Sequence, residues 1–269
     1  MAGEKPVAVI IPFYKDTLSA YEAIALEQCF KVLSSHPIIA IKPESLVLSA
    51  ETTKYPFFDV VSFDNDYFKN VQGYNRLMLD SIFYERFLAY EHILIHQLDA
   101  FVFRDDLLYW CEQPIDYVGA PWIKAHPYPD VFKAAKSIFQ HYFHTFYNIQ
   151  KDGLPSDKQF EYKVGNGGFS LRRTQRFYDL CLSHKKQIAH YNQLDNHKFN
   201  EDIFWSIEVN RRRVNLNIPK YKEALQFSFE FYPKHALFIN NTELPFGCHA
   251  WHLHLEFWMP IFELYGYEI

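Results

Sequence analysis

The stretch that most constrains the fold is residues 92–103, HILIHQLDAFVF, apolar and β-branched along its length yet carrying one carboxylate, Asp99, with Gln97 two positions earlier. Such a run reads as a strand covered on both faces, the kind found inside a parallel sheet. Its far end delivers a charge to whatever lies beyond the strand. Taken alone, Asp99 is better explained as a turn cap or a partner for Arg104 than as a ligand.

The preceding chain supplies the neighbours such a strand needs. Residues 7–14 (VAVIIPFY) form another near-continuous apolar run, closed by Pro12. Asp16, Thr17 and Ser19 then offer N-caps for a helix on which Ala23, Leu26, Phe30 and Leu33 recur at helical spacing. Short strands follow at 38–41 and 57–63, and a long helix is expected over 74–90 with Leu79, Phe83, Phe87 and Tyr90 on one face. Strand and helix alternating in this way predict an α/β fold, a mostly parallel central sheet with helices on both faces. Ligands of such sheets sit beyond the carboxyl ends of the strands, where Tyr14, Asp64 and Asp99 emerge.

The second half is less regular. A short helix is expected at 105–113, a strand at 116–122 (DYVGAPW), a helix at 131–149 with Phe132, Ala135, Phe139, Tyr142, Phe143 and Phe146 facing inward, and a helix at 174–190. The polar segment 151–159 reads as a loop able to move over a site. No repeat, low-complexity tract or clean linker divides the chain, so residues 1–269 are expected to form one domain.

Composition removes several classes. Aromatic residues make up 19% of the chain, which argues for a packed globular protein rather than a disordered one. A net charge of −5 gives no electrostatic reason to expect nucleic acid as partner, and Arg211, Arg212 and Arg213 read first as a solvated helix end and second as a contact for phosphates or anionic lipid. Cys29, Cys111, Cys181 and Cys248 are widely spaced and predict reduced thiols. The first residues lack a signal-peptide cleavage pattern, no window is apolar enough to span a bilayer, and a cytoplasmic location is expected. No nucleophile elbow, P-loop or dinucleotide fingerprint is present.

Four short constellations remain. Gln97-Leu98-Asp99 places a hard oxygen ligand at a strand end, suited to Mg²⁺ or Mn²⁺. Gly165-Asn166-Gly167-Gly168 permits close backbone approach to a ligand, or a tight hairpin turn. Asn200-Glu201-Asp202 suits a helix N-terminus, where acidic groups are favoured, and equally a general base beside a group that orients a hydroxyl. His249, His252 and His254 share a face if they lie on a strand, and His249, two residues after Gly247, is the favoured metal ligand.

In joint order these pieces resemble a glycosyltransferase of the GT-A fold. The ordered features are VIIPFY, GYNR (73–76), QLD, GNGGFSLR, NED and a late GCH. The order is similar to that of the β-1,4-galactosyltransferase catalytic core. IHQLDAFVF, YVGAPW, VGNGGFSLR and NEDIFW resemble more closely a mostly uncharacterised bacterial family assigned to the glycosyltransferases.

The resemblance implies a single GT-A-like, Rossmann-like domain. Residues 1–104 would form its nucleotide-sugar half and residues 105–269 its acceptor-binding and catalytic half. Pro12 and Tyr14 would line the base pocket, and Asn75 or Arg76 would approach the donor sugar or diphosphate. Asp99 stands at the second aspartate of an Asp-x-Asp motif, with Gln97 in place of the first, and His249 at the late histidine ligand. Asn166, Gly167 and Gly168 would border donor and acceptor, and Trp122 would stack on a sugar. Asp202 matches the base of inverting relatives and Glu201 its acceptor-binding neighbour. Two mechanisms stay open, a Mn²⁺ or Mg²⁺ held by Asp99 and His249, or a metal-free site in which Arg and Lys neutralise the leaving group.

The implied activity is transfer of a sugar from a nucleotide-sugar donor to a hydroxyl of a glycan or lipid-linked saccharide, as in polysaccharide biosynthesis, with peripheral association at the inner face of the membrane. The alternatives are a nucleotidyltransferase and a catalytically inactive sugar-binding protein of the same fold.

Overall fold

The computed structural model describes residues 5–268. Eleven strands are present among them, namely β1 (Lys5–Pro12), β2 (Ile38–Pro43), β3 (Asp59–Phe63), β4 (Tyr90–His96), β5 (Phe101–Val102), β6 (Tyr117–Val118), β7 (Gln150–Lys151), β8 (Leu154–Pro155), β9 (Phe169–Arg173), β10 (Ser228–Phe229) and β11 (Gly247–Cys248). Six of them make the central sheet in the order β3-β2-β1-β4-β9-β6. The first four run parallel, and β9 lies antiparallel between β4 and β6.

The period-2 geometry of the strands explains the continuous apolar runs. On β1, Ala8 and Ile10 enter one buried cluster with Ile93 and Ile95 of β4, while Val7, Val9 and Ile11 enter the opposite cluster with Leu94. Both faces of the sheet are therefore dry, as expected when helices cover each side. The first helix, Ala20–Leu33, starts on a reciprocal capping box between Ser19 and Glu22. A third, mostly aromatic cluster around Phe101, Trp251, Trp258 and Phe262 packs the C-terminal helix Leu255–Leu264 beside β5 and β11. Cys29, Cys181 and Cys248 are buried free thiols, and Cys111 is a half-buried one.

Several expectations are corrected. The helix expected over 74–90 is two, Val71–Met78 and Ser81–Glu85, because the Asp80 carboxylate accepts from Ile82 N and starts a new helix, and Tyr90 begins β4. The helix expected over 174–190 likewise divides at His184 into Thr174–Ser183 and Lys185–Tyr191. Residues 151–159 hold the second half of the β7–β8 hairpin and a 3₁₀ turn. The late histidines do not share a strand face, since Ala250 takes a left-handed conformation after β11 and Trp251–His254 winds into a 3₁₀ turn.

The largest correction concerns the helix Val131–Tyr147, whose aromatic residues point outward. Phe132 is 83% exposed and Phe139 69%, while Ser137 and Thr145 are buried. The inner face is polar because Glu161 waits beneath it. Its carboxylate accepts from Ser137 Oγ at 2.6 Å, Tyr128 OH at 2.9 Å and Lys158 Nζ at 2.7 Å, and pairs with Lys124. Burial opposes ionisation of Glu161, and these donors overcome it, holding the pKa at about 2. Trp122 N donates to Lys163 O at 2.8 Å and closes the base of the segment 122–163 that carries this helix, here called the insert, next to Gly165.

No described helix is long and apolar enough to cross a membrane. Replacing Ser19→Ala removes the capping box and is expected to lower stability by about 1 kcal/mol in urea unfolding with an unchanged m-value.

Candidate active site

The site lies where the parallel strands end. Gln97 and Asp99 follow β4 directly, Tyr14 follows β1 by two residues, and Asp64 follows β3, its carboxylate accepting from Asp66 N. Gln97 N donates to Gly168 O at 2.8 Å, which joins the end of β4 to the glycine-rich turn before β9.

His249 is the hub. Its Nε2 stands 3.0 Å from Asp99 Oδ1 and 3.2 Å from Gln97 Oε1, and its Nδ1 stands 3.2 Å from Glu230 Oε1. Burial alone would keep this imidazole neutral, but the Asp99 carboxylate and the hydrogen bonds of Asp99 and Glu230 raise its pKa to about 10. Burial pushes Asp99 the other way from its partner, and the His249 cation holds it below the usual carboxylate range. In the protonated ring, Nε2–H donates to Asp99 and Nδ1–H to Glu230. Asn166 Nδ2 also approaches Nδ1, at 2.9 Å, a contact that is a hydrogen bond only in the tautomer that keeps its proton on Nε2.

The turn 165–168 is shaped by what passes over it. Asn166, buried and at φ 109°, folds its side chain back so that Oδ1 accepts from Gly168 N at 2.8 Å and Phe169 N at 3.0 Å. A Cβ on Gly168 would collide with His249 Nε2 and Gln97 Oε1, and one on Gly167 with Glu201 Oε1. Gly165 lies under the Trp122 ring in the same way. The glycines thus mark where the sheet end, the acidic segment and Trp122 converge, and they exclude the simple hairpin-turn reading.

Glu201 is buried and its Oε1 accepts from Arg172 Nη2 at 2.9 Å. Arg172, on β9 and 0% exposed, also donates to Tyr84 OH at 2.9 Å and to Ser170 Oγ at 3.1 Å. Asn75 fixes the same segment from the other side. Its Oδ1 accepts from Glu201 N at 3.2 Å and its Nδ2 donates to Asn200 Oδ1 at 3.0 Å. Asp202 keeps one local bond, accepting from Ile203 N at 2.8 Å. Burial, then the neighbouring Glu201 and Glu230 carboxylates, raise its pKa to about 7.

Of the residues expected from sequence, Gln97, Asp99, Asn166, Gly167, Gly168 and His249 are in one cluster, with Glu201 touching its edge. Trp122 covers Gly165 at the base of the insert. Pro12 is buried at the end of β1, whereas Tyr14 is 57% exposed and donates to Glu22 Oε1 at 3.1 Å. Arg76 stands apart, bonded to Asp66 O at 3.3 Å. Three participants escaped the sequence reading. Arg172 is one of two adjacent arginines closing the strand FSLRR, Glu230 is the one carboxylate in the aromatic run QFSFEFY, and Tyr74 has a buried hydroxyl without a partner. Glu230 alone carried a visible signal, a charge set inside an apolar pattern.

Whether these groups suit a divalent cation is decided by the donor set. Among the described residues no three His, Cys, Asp or Glu side chains gather at metal-binding spacing. Two of them plus an amide oxygen do. The 3.0 Å between His249 Nε2 and Asp99 Oδ1 is also the edge of an octahedron with bonds of about 2.1 Å, and Gln97 Oε1 lies beside it. Glu230 on the remote ring nitrogen is the carboxylate that orients a ligating imidazole in many metal sites. With the Nε2 proton displaced, since only a neutral imidazole nitrogen ligates a metal, the set fits a Mn²⁺ or Mg²⁺ that keeps several ligand positions for a diphosphate or water.

Similarity to solved structures defines the fold class. The galactosyltransferase LgtC, in complex with donor and acceptor sugar analogues, superposes with a TM-score of 0.51 at 12% identity, covering 90% of this chain and 86% of its own. An active-site mutant of LgtC gives a TM-score of 0.54 over the same shares at 12% identity. The bifunctional glycosyltransferase WbbM aligns over 91% of this chain and 46% of its own, at 13% identity and a TM-score of 0.48. The fold is therefore that of the GT-A glycosyltransferases, with its mostly parallel sheet. Residues 57–249 match the family described as protein of unknown function DUF5672, and the chain belongs to that family. No curated protein matches it by sequence.

Arg172→Met leaves Glu201 buried without its counter-charge and is expected to cost about 3–5 kcal/mol, read by urea unfolding. Arg172→Met combined with Glu201→Met is expected to recover most of that loss, and no recovery would show that the pair is not the reason.

Proposed function

We propose that this protein is a glycosyltransferase, moving one sugar from a nucleotide-sugar donor to a hydroxyl of a glycan or lipid-linked saccharide. One observation carries the reading. The turn 165–168 has the Asp99–His249 pair against Gly168 and Glu201, next in sequence to Asp202, against Gly167, which sets a candidate diphosphate site and a candidate base beside one another. Buried oxygens without partners, Glu201 Oε2, Glu230 Oε2 and Tyr74 OH, support it, because such atoms in a folded protein call for a ligand or water.

The donor's diphosphate belongs beside Asp99, Gln97 and His249, with the base toward Pro12 and Tyr14. Asp99 and His249 are the residues that would hold a Mn²⁺ or Mg²⁺. When bound, that ion supplies positive charge to the departing nucleoside diphosphate. The protein does the rest. Trp122 offers a ring face to the acceptor sugar, and Glu201, locked by Arg172, presents its second oxygen as a fixed acceptor for a neighbouring hydroxyl. Asp202 takes the proton of the attacking hydroxyl as the new glycosidic bond forms and the bond to the diphosphate breaks on the far face. This is an inverting displacement.

A base of pKa about 7 works only when ionised, so kcat/KM should rise tenfold per pH unit below pH 7 and level off above it. Asp202→Asn should abolish that limb and lower the rate by about 10²- to 10⁴-fold. The same substitution should stabilise the fold. An Asp whose pKa is raised on folding favours the folded state at low pH and loses that contribution as pH climbs through the folded value, so the gain in Tm from Asp202→Asn should be larger at pH 8 than at pH 5.

The direct test of function is a thermal-shift panel of nucleotide sugars with and without Mn²⁺, followed by product analysis with the donor that binds. Release of a nucleoside diphosphate with transfer to an acceptor supports the proposal. Release of pyrophosphate, or glycan binding with no nucleotide-sugar binding, contradicts it.

A further inference from the structure

The helix Val131–Tyr147 carries its apolar face toward solvent and its polar face toward the protein, the reverse of an ordinary surface helix. Phe132, Phe139, Phe143 and Phe146 fall within a narrow arc at helical spacing, flanked by the exposed Tyr142 and Tyr147. Neighbouring rings touch, Phe139 stacked on Phe143 and Phe143 tilted against Tyr147, so the face is a continuous aromatic surface. The inner face cannot be exchanged for it without cost. Ser137, His141, His144 and Thr145 O are all hydrogen-bonded to the insert or to Arg211 beneath. A contiguous exposed apolar face of this kind marks an interaction surface.

The charges around the face select its partner. The helix contains no acidic residue, and Lys133, which pairs with the N-cap Asp130 at 3.7 Å, and the exposed Lys136 lie on one flank. The arginine run adds to it from outside the helix. The Arg212 guanidinium sits 4.7 Å over the Phe146 ring, and Arg213 and Val214 beside it are exposed. This is a local cationic rim on a chain whose net charge is −5. A symmetric contact between two copies would set these cations against each other. A bilayer with anionic headgroups accepts both features, the rings at the acyl boundary and the Lys and Arg side chains among the phosphates. At 17 residues, with polar positions on its inner face, the helix suits lying in the interface and not spanning it.

We infer that the helix Val131–Tyr147, with Arg212 and Arg213, docks this protein on an anionic lipid surface. The segment 122–163 that carries the helix closes at Trp122 and Lys163, beside the glycine-rich turn. Docking itself does not depend on the transferase reading.

Co-sedimentation of the full chain with vesicles of phosphatidylcholine, and of phosphatidylcholine with about one-third phosphatidylglycerol, tests it without any sugar donor present. Binding to the anionic vesicles is expected. It should weaken by about tenfold or more in Phe139→Ser/Phe143→Ser and separately in Arg212→Glu/Arg213→Glu. Phe139→Trp should be quenched by brominated lipid. Each variant's melting curve is recorded alongside, and the arginine pair, being exposed, carries the test if the aromatic variant does not fold. Wild-type protein that stays in the supernatant with anionic vesicles overturns the inference. So does binding that neither variant alters, and so does a dimer in light scattering that the variants dissolve while vesicles are ignored.

Discussion

The arrangement of the site depends on one buried ion pair, Arg172 with Glu201. Removing two charges from water costs several kcal/mol per ion, and their attraction roughly offsets it, so the pair adds little net stability. Its contribution is position. Arg172 is fixed by β9 on one side and by Tyr84 and Ser170 on others, and it seizes one oxygen of Glu201. The segment that follows has no freedom left, and Asp202 must stand among carboxylates without a cation of its own. That is why one acid of the adjacent pair is a fixed acceptor and the other is held at about pKa 7.

The same economy appears at the opposite edge of the glycine-rich turn. His249 is held between Asp99 and Glu230, and the absence of a Cβ on Gly168 allows it to reach the strand end. Asn166 turns the chain at positive φ, its Oδ1 accepting from the backbone amides of Gly168 and Phe169, which leaves its amide nitrogen against the imidazole. Three elements distant in sequence, residues 97–99, 165–168 and 249, thereby form one surface. The substitution of Gln97 for a carboxylate fits this crowding, since Gln97 Oε1 lies 3.2 Å from His249 Nε2 and contributes an oxygen without another charge.

Much of this was legible in the sequence, and the exceptions have physical causes. The continuous apolar runs of β1 and β4 announced strands buried on both faces, and the Gly and acidic motifs announced their convergence. Long helices were overread because Asp80 and His184 interrupt patterns whose apolar periodicity continues across the break. The helix Val131–Tyr147 misled in a more instructive way. Its periodicity was real, but periodicity reports an apolar face and not which way it points, and the direction was set by Glu161, 24 residues beyond Ser137, with donors that lie before, within and after the helix. Glu230 was visible as a charge within an aromatic run, and Arg172 only as one of two adjacent arginines at a strand end. Their partners were not, because a contact across 19 residues to His249 or 29 to Glu201 leaves no local pattern.

The proposed role of His249 and Asp99 is to face the diphosphate of a donor together, through a divalent cation. Pulsed electron paramagnetic resonance of Mn²⁺ with the protein and a nucleoside diphosphate reads this directly, because a ligating imidazole nitrogen couples to the electron spin. The account predicts nitrogen coupling from His249 that disappears in His249→Ala, together with phosphorus coupling from the nucleotide. Phosphorus coupling with no nitrogen signal in the wild-type protein would contradict it.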